Sequence, residues 1–248
     1  MGKALYIAEK PSVAQEFANA LKISARRSDG YLESDTAVVT WCVGHLVTMS
    51  YPEAYDPKYK RWSLQTLPFL PKEFKYQVID GVSKQFQIVS RLLNRSDIDT
   101  IYICTDSGRE GEYIYRLVDQ MAGVRGKERR RVWIDSQTEE EILRGIREAR
   151  DWKEYDNLAA SAYLRAKEDY LMGINFSRLL TLKYGQSMSN YLGTKYTVIS
   201  VGRVMTCVLG MVVRREREIR YFVKTPFYWV LAATDILGRE VEAGWRVT

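Results

Sequence analysis

Residues 100–112 read TIYICTDSGREGE, an apolar run that passes directly into acids and glycines. The run at residues 100–105 is mostly apolar and β-branched, which predicts a buried strand. Asp106 follows this strand, and a helical pattern begins at Glu110. The apolar side of that predicted helix carries Tyr113, Leu117 and Met121. The strand therefore delivers three acids and one arginine to the N-terminus of a helix.

The same order of elements occurs at the start of the chain. Residues 4–8 (ALYIA) form an apolar run that stops at Glu9, and a helical pattern follows over residues 13–21. Further strand-like runs lie at residues 36–43 and 131–134. Strands that alternate with helices predict an α/β fold with a mostly parallel sheet.

Glu9 and Asp106 would share one edge of such a sheet, where ligands bind beyond the carboxyl ends of the strands. Carboxylate oxygens are the ligands that Mg²⁺ prefers, and the ion also takes phosphate oxygens. Glu110 lies close in sequence, and glycines at 108 and 111 leave backbone N–H groups open to a phosphate. The spacing predicts Mg²⁺-assisted phosphoryl transfer. The alternative is that acids in a first helical turn only complement the helix dipole.

The rest of the chain is organised differently. Four prolines in residues 51–74 predict an irregular segment. Two long helical stretches, 158–180 and 202–220, are joined by a predicted loop at residues 184–197, which are rich in glycine, serine and tyrosine. The last residues alternate like a β-hairpin around Leu237 and Gly238.

Composition limits the class of protein. With 46% hydrophobic and 27% charged residues the chain is typical of globular proteins. The net charge of +6 is uneven, because residues 158–230 hold 11 Lys/Arg against 4 Asp/Glu. Such a surplus favours a polyanionic partner, with solvated helix faces as the alternative. The first residues become charged too soon for a signal peptide or a membrane span.

Cysteine and histidine usage argues against a Cys/His metal site, since His45 is the only histidine and no CxxC spacing occurs. The three cysteines, Cys42, Cys104 and Cys207, lie in apolar runs, which predicts buried thiols in a reducing compartment, the cytoplasm. His45 itself has two interpretations, a core or capping histidine or a DNA contact. The basic run 127–131 is predicted to be a solvated turn.

Five motifs occur in a fixed order: IAEKPSVA (7–14), TWCVGHL (40–46), TDSGREGE (105–112), DYLMGINFSR (169–178) and SVGRVMTCVLGMVVRREREI (200–219). Together they resemble the signatures of type IA DNA topoisomerases of the topoisomerase III branch. The resemblance implies a bacterial enzyme that cuts, passes and reseals single strands of underwound DNA with Mg²⁺ and without ATP, as a monomer.

The resemblance also implies a domain order. A Toprim domain with a Rossmann-like sheet is expected over residues 1–155, with a proline-rich insertion at about 46–75. A mainly helical DNA-binding domain is expected at 156–215, followed by the first strands of a β-rich arch domain at 216–248.

Residue roles follow from the same resemblance. Glu9 and Asp106 would hold Mg²⁺ with help from Glu110, Lys10 would act near the 3′ hydroxyl at the cleavage point, and Arg109 would contact the scissile phosphate. The implied DNA-binding residues are Arg61, Arg165, Asp169, Ser177, Arg178, Ser200, Val201, Gly202, Arg203, Val204 and Met205.

This sequence departs from the family pattern at three places. Gly108 stands where a second aspartate is commoner, and Met205 and Cys207 replace a glutamine and a proline. No tyrosine is followed by Pro-Arg, so the family's nucleophile is missing. We therefore expect a fragment, ending at Thr248, that is inactive alone.

Two other classes of protein stay open. One is a different Toprim enzyme, such as a primase-like polymerase or a nuclease, against which the motifs beyond residue 170 argue. The other is a non-catalytic module that binds single-stranded DNA, which would not need converging acids.

Overall fold

The protein is described from a computed structural model that covers residues 2–23 and 26–247. It divides into two compact units at the junction of Gly202 and Arg203. In the described part of the chain, no helix is both long and apolar enough to cross a membrane. The domain boundaries predicted near residues 155 and 215 stay predictions.

The first unit contains nine strands and five α-helices within its described residues. The strands are β1 (Lys3–Ala8), β2 (Arg26–Ser28), β3 (Tyr31–Glu33), β4 (Ala37–Trp41), β5 (Val47–Met49), β6 (Tyr76–Val78), β7 (Ile98–Cys104), β8 (Glu128–Arg131) and β9 (Arg150–Asp151). The helices are α1 (Pro11–Ala20), α2 (Ser83–Leu93), α3 (Arg109–Ala122), α4 (Glu139–Arg147) and α5 (Asp156–Leu192).

Seven of these strands form one sheet in the order β2-β3-β4-β1-β7-β8-β9. The central strands β4, β1, β7 and β8 pair in parallel, and antiparallel strands lie at both edges. The predicted α/β fold with a mostly parallel sheet is confirmed. The carboxyl ends of β1 and β7 are neighbours, which positions whatever follows each strand at one edge.

Both faces of the sheet are covered, because side chains alternate along each strand. Leu5 and Ile7 of β1 belong to a core that includes α2 and α3. Tyr6 and Ala8 point to the other face and pack in a core with α1 and α4. The sheet is therefore the middle of three layers, as its near-continuous apolar strands require.

The proline-rich segment has no regular strand between β5 and β6, as predicted, and contains short 3₁₀ turns at Pro52–Ala54, Pro57–Lys60 and Leu64–Thr66. It packs on α5 through Phe69, which is buried. The side chain of Asn175 accepts from the Phe69 N–H at 2.6 Å and donates to its carbonyl at 2.9 Å. These two hydrogen bonds attach the proline-rich segment to α5.

Helix α5 is longer than the sequence predicts, and the loop expected at residues 184–197 is wrong for its first half. The helix continues to Leu192 and ends at Gly193, which has a left-handed φ of 65°. Residues 194–202 then return along the helix in an extended path. Small residues every four positions along α5 make room for this path: Gly173, Ser177, Thr181, Gly185 and Ser189. The packing of an extended chain outweighs the poor helix propensity of glycine and serine.

Three further expectations are wrong. The strand predicted at 131–134 is β8, three residues earlier, so the basic run 127–131 is mostly strand and not a solvated turn. Arg131 is buried within it. Cys42 and Cys104 are buried as predicted, whereas Cys207 is exposed.

The second unit begins with α6 (Arg203–Arg220) and continues with a hairpin of β10 (Tyr228–Ile236) and β11 (Arg239–Val247). The hairpin predicted around Leu237 and Gly238 is confirmed. Both residues have positive φ, 55° and 75°, which is typical of the tight two-residue turns that connect antiparallel strands.

Candidate metal and DNA site at the carboxyl edge of the sheet

Two acidic residues meet where β1 and β7 end. Glu9 follows β1 directly, and Asp106 follows β7 after Thr105. The Asp106 backbone N–H donates to Glu9 Oε2 at 3.3 Å. Glu9 is only 9% exposed, whereas Asp106 faces solvent. The parallel pairing of Ala8 with Cys104 is what brings residues so distant in sequence together.

The charge on Glu9 is destabilised by its surroundings. Burial raises the pKa of Glu9, and the negative charge of Asp106 raises it further. The Asp106 N–H, the positive charge of Lys10 and the nearby His45 side chain act in the opposite direction without cancelling the rise. A cation beside both carboxylates would relieve this repulsion. The donor set fits Mg²⁺, which proteins often hold by one or two carboxylates together with water and phosphate oxygens.

Glu110, the third predicted ligand, lies at the same edge but contacts another residue. Its Oε2 is 3.7 Å from His45 Nε2. His45 follows Gly44, whose N–H donates to the Glu9 carbonyl at 3.3 Å. Among residues 2–23 and 26–247, no three His, Cys, Asp or Glu side chains lie close enough together to hold a metal ion. The structure thus brings Glu9 and Asp106 into contact, and the three-residue ligand set stays a prediction.

The two glycines of the acidic loop, residues 105–112, differ in whether a larger side chain could replace them. A Cβ at Gly111 would overlap the Asp106 carbonyl oxygen, so the first turn of α3 packs directly on the backbone of the loop. Gly108 has an extended backbone, and a Cβ there would meet nothing within 4 Å. Gly111 is therefore required for the close approach, whereas position 108 has room for a side chain.

A buried arginine of β8, Arg131, forms hydrogen bonds with the backbone of the acidic loop. Arg131 has no exposed side-chain surface, and its Nε donates to Glu112 Oε2 at 2.9 Å. Its Nη1 and Nη2 donate to the carbonyls of Thr105 and Asp106, both at 2.7 Å. Burial lowers the pKa of Arg131, and the charge of Glu112 opposes that change. One guanidinium group therefore fixes the backbone that presents Asp106.

The ion pair extends from the sheet to the start of α5. Glu112 also accepts from Arg116 Nε at 2.8 Å, and Arg116 Nη1 donates to Asp156 at 2.7 Å. The Arg116 guanidinium stacks on the Trp152 ring at 4.2 Å and donates to the Trp152 carbonyl. Buried and partly buried charges thus join the acidic loop to the first turn of the long helix.

The other residues predicted for catalysis are exposed at this edge. Lys10 is the N-cap of α1, directly after Glu9, and Arg109 is the first residue of α3. Both face solvent. Arg61 is also exposed and follows the 3₁₀ turn Pro57–Lys60 in the proline-rich segment.

Helix α5 carries the predicted DNA-binding residues Arg165, Asp169, Ser177 and Arg178. Arg165 and Asp169 are half-buried and one turn apart, so they share a face. Arg178 is only 5% exposed. It lies over the Trp62 ring at 5.3 Å and 3.9 Å from Glu53. Its Nη1 is buried and has no hydrogen-bond partner among the described residues.

The predicted loop residues Ser200, Val201 and Gly202 end the extended segment that returns along α5. The Val201 N–H donates to Ser177 Oγ at 2.8 Å, and the Ile199 N–H donates to Thr181 Oγ1 at 2.9 Å. Side-chain hydroxyls of the helix thus satisfy backbone groups of the segment. The remaining predicted residues, Arg203, Val204 and Met205, open α6 in the second unit, where all three are exposed.

Comparison with protein families identifies the first unit. Residues 4–136, more than half of the chain, match the Toprim domain model. This chain belongs to the Toprim family. Residues 153–246 match a second model, described as DNA topoisomerase. The two matches together cover both the acidic edge and the residues of α5, α6 and the hairpin.

The sequence is also similar to longer proteins. It is 41% identical over 235 residues, or 95% of the chain, to DNA topoisomerase 3 of Bacillus subtilis. It is 40% identical to the proteins of the same name from Bacillus licheniformis and Bacillus anthracis, over 95% and 94% of the chain. The chain spans 30% of the length of each. The resemblance to topoisomerase III, based on five motifs, is confirmed.

Sequence reasoning missed the buried pair of Arg131 and Glu112 in this Toprim domain. A signal was present, because α3 carries Glu112 and Asp119 on the same side as its apolar residues. Acids on a buried face need cationic partners. The basic run 127–131 supplies them, since Arg129 Nε also donates to Asp119 at 2.7 Å.

Proposed function

We propose that this chain is the Mg²⁺- and DNA-binding part of a type IA topoisomerase of the topoisomerase III kind. The whole enzyme would cut one strand of underwound DNA, pass another strand and reseal the cut without ATP. The observation that carries the proposal is the meeting of Glu9 and Asp106 on adjacent parallel strands of a Toprim domain. The DNA topoisomerase match at residues 153–246 favours this function over other Toprim enzymes.

The residues at the sheet edge divide the chemistry between them. Glu9 and Asp106, with Glu110, would hold Mg²⁺, which when bound neutralises charge on phosphate oxygens. Arg109, exposed at the start of α3, would bind the scissile phosphate. Lys10 would donate a proton or a hydrogen bond to the 3′ oxygen at the cleavage point. Gly111 and Arg131 would keep Asp106 in place.

DNA would run from this edge along α5. In the first unit, single-stranded DNA would contact Arg165, Asp169, Ser177 and Arg178 on the helix, Ser200, Val201 and Gly202 on the extended segment, and Arg61 in the insertion. In the second unit, we propose Arg203, Val204 and Met205 at the start of α6 as DNA contacts of their own. Binding to phosphates would weaken with salt, with a slope of roughly −0.7 per contact for single strands.

Isothermal titration calorimetry with Mg²⁺ tests the metal site. We expect Asp106→Asn to abolish Mg²⁺ binding, because one of two carboxylates loses its charge. The matched control is Asp35→Asn, an exposed aspartate that precedes β4 at the opposite end of the strands. Unchanged Mg²⁺ binding in Asp106→Asn would mean that other residues hold the ion. Absence of Mg²⁺ binding in the wild-type chain would favour the non-catalytic DNA-binding module.

A plasmid assay tests the catalytic part of the proposal. We expect the chain to relax no supercoiled DNA, because no tyrosine here is followed by Pro-Arg. Relaxation by the purified chain would mean that a nucleophile exists among its own tyrosines.

We also propose a monomer in the cytoplasm, in keeping with the free thiols of Cys42 and Cys104. Light scattering after gel filtration tests the monomer.

A further inference from the structure

The end of α5 and the segment that returns along it carry exposed aromatic residues outside the predicted site. Tyr184, Tyr191 and Tyr196 are 55%, 87% and 67% exposed. Lys183 and Lys195 lie beside them in sequence and are also exposed. No aspartate or glutamate occurs between Tyr170 and Gly202. This stretch of chain therefore carries exposed aromatic rings, and its only charged side chains are cationic.

Packing of the returning segment brings these tyrosines to one end of the helix. The Thr194 N–H donates to the Ser189 carbonyl at 3.0 Å, and a Cβ at Gly185 would lie 3.0 Å from the Thr197 carbonyl. Tyr184 directly precedes Gly185 and Tyr196 directly precedes Thr197, so both tyrosines lie next to this second contact. Tyr191 is seven residues after Tyr184, about two helical turns or 10 Å along the same side.

The exposed side of the segment also continues toward the proposed DNA site. Tyr196, Val198 and Ser200 are exposed, whereas the residues between them are partly buried against α5. This alternation is typical of an extended chain lying on a surface. From Ser200 to Tyr196 the segment covers about 13 Å at its extended rise per residue.

We propose that the tyrosine patch, defined as Lys183, Tyr184, Tyr191, Lys195 and Tyr196, is a second surface for single-stranded DNA. It extends the proposed site outward from Ser200 by several nucleotides, and so it rests on the proposed function. Bases stack on exposed aromatic rings without regard to sequence, and lysines neutralise the phosphates between them. The absence of acids from this stretch of chain favours a polyanion over a protein partner that carries both signs of charge.

Oligonucleotide length separates the patch from the site that it extends. Fluorescence anisotropy would measure binding of oligo-dT of about 6 and about 14 nucleotides, within the range of sizes that such surfaces take. We expect the longer strand to bind the wild-type chain more tightly. In Tyr184→Ala/Tyr191→Ala/Tyr196→Ala this gain disappears, with at least about fivefold weaker binding of the longer strand. The short strand binds the variant and the wild type equally.

Controls make a loss specific to the patch. Tyr228→Ala removes an equally exposed tyrosine from β10, and Lys22→Ala removes an exposed lysine elsewhere; neither is expected to change the length dependence. A short strand that fails to bind the wild-type chain overturns the proposed function. A short strand that binds, with no gain from length or no effect of the triple variant, overturns only the patch.

Photochemical crosslinking provides a test that needs no variant. Iodouracil-substituted oligo-dT of about 14 nucleotides is expected to crosslink to peptides that contain Tyr184, Tyr191 or Tyr196. Crosslinks confined to other peptides contradict the proposal. Anionic phospholipid vesicles serve as the competing ligand: binding to vesicles that the triple variant loses, with DNA binding unchanged, would assign the patch to a membrane surface instead.

Discussion

The acidic loop at residues 105–112 and the extended segment at residues 194–202 both present proposed site residues, but they are held in different ways. The loop is fixed by a buried guanidinium and by direct packing of α3 on its backbone. The segment lies on the surface of α5 and is held by hydroxyl groups of the helix. One region is anchored in the core, and the other is attached to an outer face.

This difference suits what each region is proposed to bind. Metal ligands must be held within a fraction of an ångström, so buried contacts under Asp106 are appropriate. A single strand of variable sequence needs a surface that can adjust. Segments with few buried contacts open at lower free energy than core strands. We therefore expect substitutions of the residues that anchor the loop to reduce stability much more than substitutions of the α5 residues that hold the segment.

The largest effect is expected for Arg131→Met. It removes the donors to Thr105 and Asp106 and leaves Glu112 with only Arg116. Breaking a buried ion pair from one side typically costs about 3–5 kcal/mol. Urea unfolding measures the loss, and the double variant Arg131→Met/Glu112→Gln should recover part of it. A loss below about 1 kcal/mol, within the range of an ordinary hydrogen bond, would show that the arginine does not anchor the loop.

Glycine substitutions give the next largest contrast, within the loop itself. Gly111→Ala is expected to destabilise the fold by about 1–3 kcal/mol, because its Cβ meets backbone that cannot rotate away. Gly108→Ala is the matched control and should be nearly neutral, since the space around it is open. Mg²⁺ affinity should fall only in Gly111→Ala. Equal effects of the two changes would contradict the close packing of α3 on the loop.

Removing the Glu9 charge is expected to give a smaller effect that depends on pH. The pKa of this carboxyl is raised in the folded chain by burial and by Asp106, so the folded state binds the proton more tightly than the unfolded state. Stability therefore falls as the pH rises from the ordinary carboxyl pKa through the folded one, and the loss is complete above it.

Thermal melts in EDTA at neutral pH measure this loss. Glu9→Gln is expected to melt roughly 2–4 °C higher than the wild type, and the difference should vanish below the ordinary carboxyl pKa. Mg²⁺ should raise the melting temperature of the wild type alone. A wild type that melts as high as Glu9→Gln at every pH would mean that burial and the charge of Asp106 do not destabilise the ionised form of Glu9.

The smallest change in stability is expected in the extended segment. Ser177→Ala/Thr181→Ala removes the acceptors for the Val201 and Ile199 N–H groups, each worth about 0.5–1.5 kcal/mol. Because the segment is superficial, we expect its local opening to change far more than global unfolding. Hydrogen exchange should accelerate at residues 194–202 and stay unchanged in β7. Faster exchange in β7 would indicate that the segment is part of the cooperative core.

The sheet and its acidic edge could be predicted from the sequence because their signals are local. Apolar runs that stop at Glu9 and Asp106 identify both the strands and the ends at which ligands bind. The role of Arg131 could not be predicted in this way, since a basic run looks solvated until its partner is known. Glu112, on a different element, decides that this arginine is buried.

The length of α5 was missed for a related reason. Gly185 and Ser189 are poor helix formers, and their composition predicts a loop. Their spacing of four residues, shared with Ser177 and Thr181, makes sense only when another part of the chain lies against that face. The partner is residues 194–202, whose position becomes visible in three dimensions.

The pairing of β1 with β7 also has a kinetic consequence. The Asp106 N–H and the Glu9 carboxylate that it contacts are separated by 97 positions along the chain. Contacts of such high order form slowly, because a large loop must close before they contribute. A divalent ion that needs both acids would find no preformed site in the unfolded ensemble, so it would bind late and deepen the native minimum by mass action. The time course of divalent-ion binding during refolding would therefore report when β1 and β7 pair.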